Sequence, residues 1–576
     1  MRSFILAALG LPVLRLVAAD QSTYQSSSEY QQRDYGLYPN QTFTSVNITA
    51  PIFNVNTNQT EDAHLASQVF LSVRGTAVQT AGYVSPMVFN SNDLSLVWAN
   101  STYGQCFGTR IQQYNGSDYL TFWSGKPQGQ GYGEGTYIML DNSYNVAYNL
   151  TAKNVSVQGD MHEFQLTDNG TALITVYEPV SWDLSAYNIS NGWIVDSLFQ
   201  EIDIATNDLI FSWRASDHFA LNSSYAAPGS TGDAQDNPYD FYHINSVEKD
   251  DSGNYLISAR HTHTISYVNG STGDLIWVLG GKENQFEDQS NGDATNFAWQ
   301  HDARWFNNTS NQLTLFDNGA ADWVSTENAT RGLRITLDYS AMTATLDQAY
   351  MSPDGILSAS QGSVQPLANG NVLMGYGNNP AFTEYTPDGT VVWDVQFGII
   401  GNASVQSYRA YKQNWTAYPS WDPAIAARDG SVFVSWNGAT EVKSWALLAG
   451  NESAGALNNG TALWKNVTKD GFETGVDVAG QARYVRAVAL DNEGKVLGAS
   501  DVTTRASNGT VDLGSGFATR TGSGDDSQQD NATASGTATS TSTSSTASAT
   551  QSGAAGVVKV PTLGLGVLGA LMALAL

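Results

Sequence analysis

From residue 25 to residue 510 short apolar or alternating runs are separated by Asp-Gly, Asn-Gly and Ser-Gly turns, as in DLIFSWRAS from residue 208, SGNYLISAR from 252, TGDLIWVLGG from 272, NGNVLMGYG from 369 and DGTVVWDVQFG from 388. A period of two sends successive side chains to opposite faces of a strand, and glycine-containing dipeptides supply the turns that close hairpins. No long helical periodicity interrupts the pattern, so the chain reads as all-β. Trp98, Trp213, Trp277 and Trp393 close similar strands at separations of 115, 64 and 116 residues. Those intervals are two, one and two copies of a unit of about 58 residues, and filling the gaps gives about six units. Periodic strands with a recurrent aromatic predict a six-bladed β-propeller, placed here at residues 20–420; a large sandwich or two stacked β domains is the competing arrangement.

After residue 420 the texture changes. GSVFVSWNGATEVKSWALLAG and RYVRAVALDNEGKVLGAS, with Trp436 early and Tyr484 late, predict a small fibronectin type III-like β-sandwich over 421–506. Both ends read as processing signals. Residues 1–19 carry Arg2, an apolar run and small residues at Val17 and Ala19, the pattern of a signal peptide that would leave Asp20 first. Residues 507–552 are Ser/Thr-rich with too little apolar surface to fold, which predicts a disordered, O-glycosylated stalk. Residues 553–576 end in a fourteen-residue apolar tail from Leu563, shorter than the roughly twenty residues a spanning helix needs. The pattern fits a GPI-anchor signal, with contact to a membrane only through a lipid.

Export also accounts for about twenty N-x-[ST] sequons, among them Asn40, Asn115, Asn222, Asn328, Asn414 and Asn466, which predict N-linked glycans on an extracellular, cell-surface protein. Cys106 is the single cysteine, so no intramolecular disulfide exists and the residue reads as a small buried group. A net charge of −28 argues against nucleic acid or an anionic membrane as partner, and requires any anionic substrate to be drawn in by a local positive site. The chain is read as a monomer that needs no cofactor.

Histidine is scarce: seven residues, five of them between 218 and 301. His64 and His162 sit near expected turns and receive no role. His218, His243, His261, His263 and His301, with Arg214, Arg260 and Arg304, can converge on a propeller axis and make the positive pocket that the acidic shell requires. His261 and His263 are spaced to share one face of a strand, which raises a metal pair as a minor reading, but neither Cys partners nor an H-E-x-x-H helix accompanies them. Asp302 and Asp317 read as turn or hydrogen-bonding carboxylates, and GKPQGQGYGEG from residue 125 as a flexible loop.

The series DFYHINSVEKDDSGNYLISARHTHTISYVNGSTGDLIWVLGGKENQF, FAWQHDARWFNNTSNQLTLFDNGA and SQGSVQPLANGNVLMGYGNNPAFTEYTPDGTVVWD resembles the arylsulfotransferase family in its eukaryotic, mainly fungal branch. The resemblance implies a six-bladed propeller that moves a sulfuryl group from a phenolic sulfate ester to a phenol through a sulfated histidine, without a nucleotide donor. On the matching motifs His301 of QHDAR would be the nucleophile. His243 of H-x-N-S and Arg260 of S-A-R would bind the sulfuryl group and handle protons, and His218 of SDHF, with the shortest local match, would assist. The bacterial members place a small sandwich before the propeller, whereas this chain places one after it. The residue types suit the chemistry: a neutral imidazole nitrogen is nucleophilic near neutral pH, and cations such as Arg260 and a protonated His243 would stabilise the charge spreading over the sulfuryl oxygens. The alternative is a noncatalytic glycosylated propeller that binds a small anion or a cell-wall polymer through the same donors.

Overall fold

Alternating runs pair into hairpins because each strand has one apolar face, and stacking sheets face to face removes those faces from water. The computed structural model describes residues 16–17, 19–59, 66–306, 309–451, 455, 457, 463–478, 483–504 and 510–511. The chain divides into two compact units, Met1–Arg520 and Thr521–Ala575, and all described residues lie in the first. The anchor signal, His64, nearly all of the signal segment and the stalk apart from Thr510–Val511 fall outside the described residues; Thr510–Val511, inside the stretch expected to be disordered, is a short strand paired with Val502–Thr504. Leu16–Val17 pairs antiparallel with Glu473–Asp477.

Six sheets of at least four strands follow in order, antiparallel except where the short strands Tyr24–Gln25, Tyr239–Asp240 and Glu287–Asp288 join three of them in parallel. Their innermost strands are Ala410–Gln413, Cys106–Tyr114, Asp160–Leu166, Ile244–Lys249, His301–Trp305 and Ser363–Pro366, numbered here as sheets 1 to 6. Trp98, Trp213, Trp277 and Trp393 lie in the fourth strands of sheets 1, 3, 4 and 6, so the tryptophan spacing reports the same position in repeated sheets.

Side-chain hydrogen bonds join each innermost strand to the next. Gln413 exchanges bonds with Ile111 (2.7 and 2.9 Å), Gln112 with the backbone of Phe164 and Leu166 (3.0 and 2.8 Å), and Glu163 accepts from Val247 N (3.3 Å). Ser246 Oγ accepts from Ala303 N (3.0 Å), Asp302 from Val364 N (3.2 Å), and Ser363 Oγ from Ala410 N (3.1 Å), which closes the ring. Closure is also a matter of chain ends: the last ring strand, Ala410–Gln413, pairs with the early strand Gln68–Val73, while Asn54–Asn58 pairs with the outer edge of sheet 6.

The centre of the ring holds charge. Glu163 meets Arg110, Arg304 and Arg409, and Asp302 meets Arg304 and Arg409. Burial alone would raise the Glu163 carboxyl, but the Arg304, Arg409 and Arg110 guanidiniums overcome it and hold the group at about 2.

Two further sheets share an apolar core that includes Val432, Val434, Trp436, Trp445, Leu447, Val476 and Val485. They dock on sheet 1 and sheet 2 through Ala99 N to Asn437 Oδ1 (3.0 Å), Gly438 N to Val97 O (2.7 Å) and Tyr144 OH to Gly438 O (3.0 Å). Gly438 has φ +96°, and a Cβ there would stand 2.5 Å from the Tyr144 ring, so only glycine fits this junction.

The glycine-rich segment expected as a flexible loop is instead the end of a hairpin, Ser117–Pro127 paired with Gly133–Leu140 and Gly125 opposite Gly135. A Cβ on Gly135 would lie 2.7 Å from the Trp123 ring, so these glycines make room for a tryptophan. Cys106 is buried, as expected, and burial raises its thiol.

Candidate active site

At one end of the ring the chain enters each innermost strand and leaves each second strand, so residues far apart in sequence meet there. His301 opens the first strand of sheet 5, His243 precedes that of sheet 4, and His162 lies near the start of that of sheet 3. Arg260 and Asn318 directly follow the second strands of sheets 4 and 5. His243, His263, Trp299, Asp302 and Gln361 all have φ between +54° and +65°, a conformation that costs non-glycine residues about 1–3 kcal/mol each and gathers where side-chain aim matters.

His301 is 2% exposed. Its Nδ1 is 2.7 Å from Asn318 Oδ1, and the Asn318 amide nitrogen donates to the carbonyls of Ser358 (2.8 Å) and Gln361 (2.9 Å). An amide whose nitrogen serves two carbonyls must present oxygen to the imidazole, so the proton sits on Nδ1 and the lone pair on Nε2. That lone pair accepts the Gln361 N–H at 3.2 Å, a long bond. Burial, then the Arg260 guanidinium, with His243 and His162 further opposing protonation, holds His301 well below 6.5, so the ring is neutral at neutral pH.

His243 lies edge-on to His162 at 4.7 Å between ring centroids, and 4.7 Å from His261. Its Nδ1 is 2.5 Å from Asp240 Oδ2; burial pushes the Asp240 carboxyl up and His243 well below 6.5. The protonated His243 expected from sequence is therefore replaced by a neutral ring whose Nδ1–H is held by Asp240, leaving Nε2 able to accept a proton. The reason is burial first, with His162 and the Arg260 guanidinium nearby further opposing a second proton.

Arg260 is the positive element. Its Nη1 meets His261 Nε2 (2.9 Å), its Nη2 donates to Ala359 O (2.9 Å), and its Nε has no partner. No carboxylate pairs with it among the described residues; its guanidinium instead lies over the Trp299 and Trp323 rings at 5.5 and 5.6 Å. Arg304 and Arg214, expected in the same pocket, are committed elsewhere, Arg304 to Glu163 and Asp302, and Arg214 to Glu178 and Asp196. Asp317 binds Arg331 and Ala298 N, as a hydrogen-bonding carboxylate should.

His218 does not join the cluster. It stacks on Trp213 of the outermost strand of sheet 3 at 4.9 Å and 6°. The nearby position is filled by His162, whose Nδ1 is 2.5 Å from Asp160 Oδ1 and whose ring stacks on Tyr177 at 5.1 Å. A signal for it exists in the sequence: Asp160 precedes His162 as Asp240 precedes His243. Asn318, Gln361 and Tyr408, the last 6.3 Å from the His301 ring, carried no such signal.

His261 and His263 lie not on a strand but in the turn between Tyr255–Ala259 and Thr264–Val268, and burial holds both rings down at about 3. Asp240, His243 and His261 place their ligand atoms within 4.8 Å of one another. Arg260 Nη1 meets His261 at Nε2, while His261 Nδ1 faces Asp240 Oδ1 at 3.7 Å. Beside Arg260 a cavity of about 430 Å³ is lined by Tyr225, His263, Phe297, Trp299, Trp323 and Val324, with Trp323 60% exposed.

Residues 110–398, half of the chain, match the Arylsulfotransferase (ASST) family. The chain belongs to the arylsulfotransferase family. The matched stretch of this arylsulfotransferase-family chain contains His162, His243, Arg260, His301, Asn318 and Gln361. A search of curated proteins finds no match. Among solved structures the chain is similar to a protein of unknown function from Bacteroides caccae (11% identity, TM-score 0.35, covering 60% of this chain and 98% of that one). It is also similar to the Cps50 (Swd1) β-propeller domain of Myceliophteria thermophila (10%, 0.31, 57% and 92%) and to the Dos1 propeller (10%, 0.26, 77% and 94%).

Proposed function

We propose that the six sheets are the blades of a β-propeller, that the two sheets after it are a fibronectin type III-like sandwich, and that the ring end with His301 transfers sulfuryl groups between phenols. The observation that carries the reading is His301 itself, a buried imidazole with its tautomer fixed by Asn318 and an unprotonated Nε2 at the same end of the ring as the Arg260 guanidinium, which has no carboxylate partner among the described residues.

In the donor half, His301 Nε2 attacks sulfur, the bond from sulfur to the aryl oxygen breaks with its electrons going to oxygen, and the sulfuryl group rests on Nε2. The Gln361 N–H, released from the lone pair, turns to a sulfuryl oxygen, and Arg260 stabilises the spreading charge. In the acceptor half a phenol oxygen attacks sulfur, its proton passes to His243 Nε2, and the S–N electrons return to His301. His243, neutral at rest, returns that proton to solvent, and the aryl oxide released in the donor half takes one up from solvent, so the cycle balances. His162, held by Asp160, orients His243 by edge contact. The aryl ring is received by the cavity between Tyr225 and Trp323, of a size that suits a small aromatic. The acidic exterior, glycans, lipid anchor and export remain part of the same proposal, as a cell-surface enzyme without a cofactor.

The testing experiment follows phenol release from an aryl sulfate with and without a phenol acceptor. Double-reciprocal lines parallel in acceptor concentration support transfer by way of the enzyme; no release with any acceptor favours the anion-binding alternative.

Two outcomes follow from the geometry. Because only the neutral ring attacks, kcat/KM for the donor falls as pH drops through the folded-state value of His301, which lies well below 6.5. A pH–rate profile with its acid limb at 6.5 or above contradicts this. Trp323→Ala removes a ring wall and raises KM for aryl sulfates about tenfold with a smaller change in kcat; steady-state kinetics that show the reverse split place the aryl group elsewhere.

A further inference from the structure

The joints between innermost strands fix the order of sheets 1 to 6 around the ring, so sheet 1 faces sheet 4 across the axis. Arg260 directly follows the second strand of sheet 4, Tyr255–Ala259, and Arg74 directly follows the second strand of sheet 1, Gln68–Val73. The local sequences repeat as well: Ser258-Ala259-Arg260-His261-Thr262 and Ser72-Val73-Arg74-Gly75-Thr76 share S-x-R-x-T. In both, the arginine N–H bonds to a carbonyl just upstream of the innermost strand, His243 O for Arg260 (2.9 Å) and Gln406 O for Arg74 (3.0 Å).

Arg74 is 6% exposed and, like Arg260, has no carboxylate partner among the described residues. Its Nη2 donates to Gln361 Oε1 (2.7 Å), its guanidinium lies 4.2 Å from the Phe107 ring centroid, and its Nε is buried without a partner. Gln361 connects it to the nucleophile, because the same residue offers its N–H to His301 Nε2 and its carbonyl to Asn318. Gln361 Nε2 closes the loop on Gln406 Oε1 (3.1 Å). Gly75, at φ +116°, lets the chain turn beneath Ser404, where a Cβ would lie 2.4 Å from its carbonyl oxygen. The Arg74 backbone is thus fixed by Gln406 and its guanidinium by Gln361 through Nη2 alone, with Nε unpartnered among the described residues.

Burial without a counter-ion is costly for a guanidinium, which stays charged at neutral pH although burial lowers it to about 9. The three other arginines buried at the centre share Glu163 and Asp302. We infer that Arg74 is a second sulfuryl-binding residue, facing Arg260 across the ring, so that the anion is held between two guanidiniums with Gln361 tying one of them to His301. Arg74 lies outside the stretch matched to the arylsulfotransferase family, and the inference rests on the sulfuryl-transfer reading above.

The test uses the full chain with inorganic sulfate and an aryl sulfate as probes. Arg74→Gln keeps a polar amide donor but removes the charge, and lowers kcat/KM about 100-fold while weakening sulfate binding tenfold or more, with the thermal midpoint preserved. Arg74→Lys keeps most of the sulfate affinity and loses rate, because an ammonium restores charge without the planar fork. Unchanged sulfate affinity in Arg74→Gln, or a lowered thermal midpoint with unchanged sulfate affinity in both variants, overturns the assignment and leaves Arg74 a structural group. If Arg74→Gln does not fold, Arg74→Lys decides, since equal rate and affinity to the parent refute it. Failure of the parent chain to bind sulfate or release phenol sinks the functional reading itself, whereas an active parent with an unimpaired Arg74→Gln sinks only this inference.

Discussion

His301→Ala abolishes transfer, with kcat/KM down by about four to six orders of magnitude, the range seen when a nucleophile acting as part of a unit is removed. The fold survives, because the deleted ring gives up one bond to Asn318 and one to Gln361, at a cost of about 1–3 kcal/mol for groups left unpaired. His218→Ala, which removes only the stack on Trp213, leaves transfer within twofold of the parent as a rough bound. Steady-state rates on the two variants check both statements. Residual activity of His301→Ala within tenfold of the parent, or a collapse in His218→Ala, contradicts the assignment of the cluster.

Glu163→Gln has the largest expected effect on stability, about 3–5 kcal/mol, because it strands Arg110, Arg304 and Arg409 in the ring without the charge that they share. These residues come from four of the six sheets, so the loss loosens the ring rather than one sheet. The carboxyl is held at about 2 in the fold against 4.5 ordinarily. Its contribution is therefore complete above pH 4.5 and is lost as pH falls toward 2. Thermal unfolding at neutral pH should show a midpoint several degrees lower for Glu163→Gln, with the difference shrinking in acid. An unchanged midpoint would mean that the network is neutral to stability.

Much of this architecture was legible in the chain. Turn dipeptides and period-two runs marked the strands, and the four tryptophans fell in fourth strands because packing between repeated sheets selects the same large side chain at the same place. His301, His243 and Arg260 were legible because their motifs are contiguous. His162 carried only the short signal of Asp160 before it, and its place beside His243 depends on how neighbouring sheets meet. Arg74 was hidden for a different reason: its equivalence to Arg260 depends on which sheets oppose each other. His218 rested on the short SDHF match alone, and it follows the fourth strand of sheet 3, away from the ring of innermost strands. The protonation of His243 could not be read from sequence, because burial and the nearby His162 and Arg260 decide it.

The most direct test of the central claim is rapid quenching of the protein with an aryl sulfate in the absence of acceptor, followed by alkaline digestion and mass analysis of the peptides. The account predicts one sulfuryl group on the peptide that contains His301, formed in step with a burst of phenol and discharged when a phenol is added. Phenol release with no adduct at His301, or an adduct on a different histidine peptide, contradicts it.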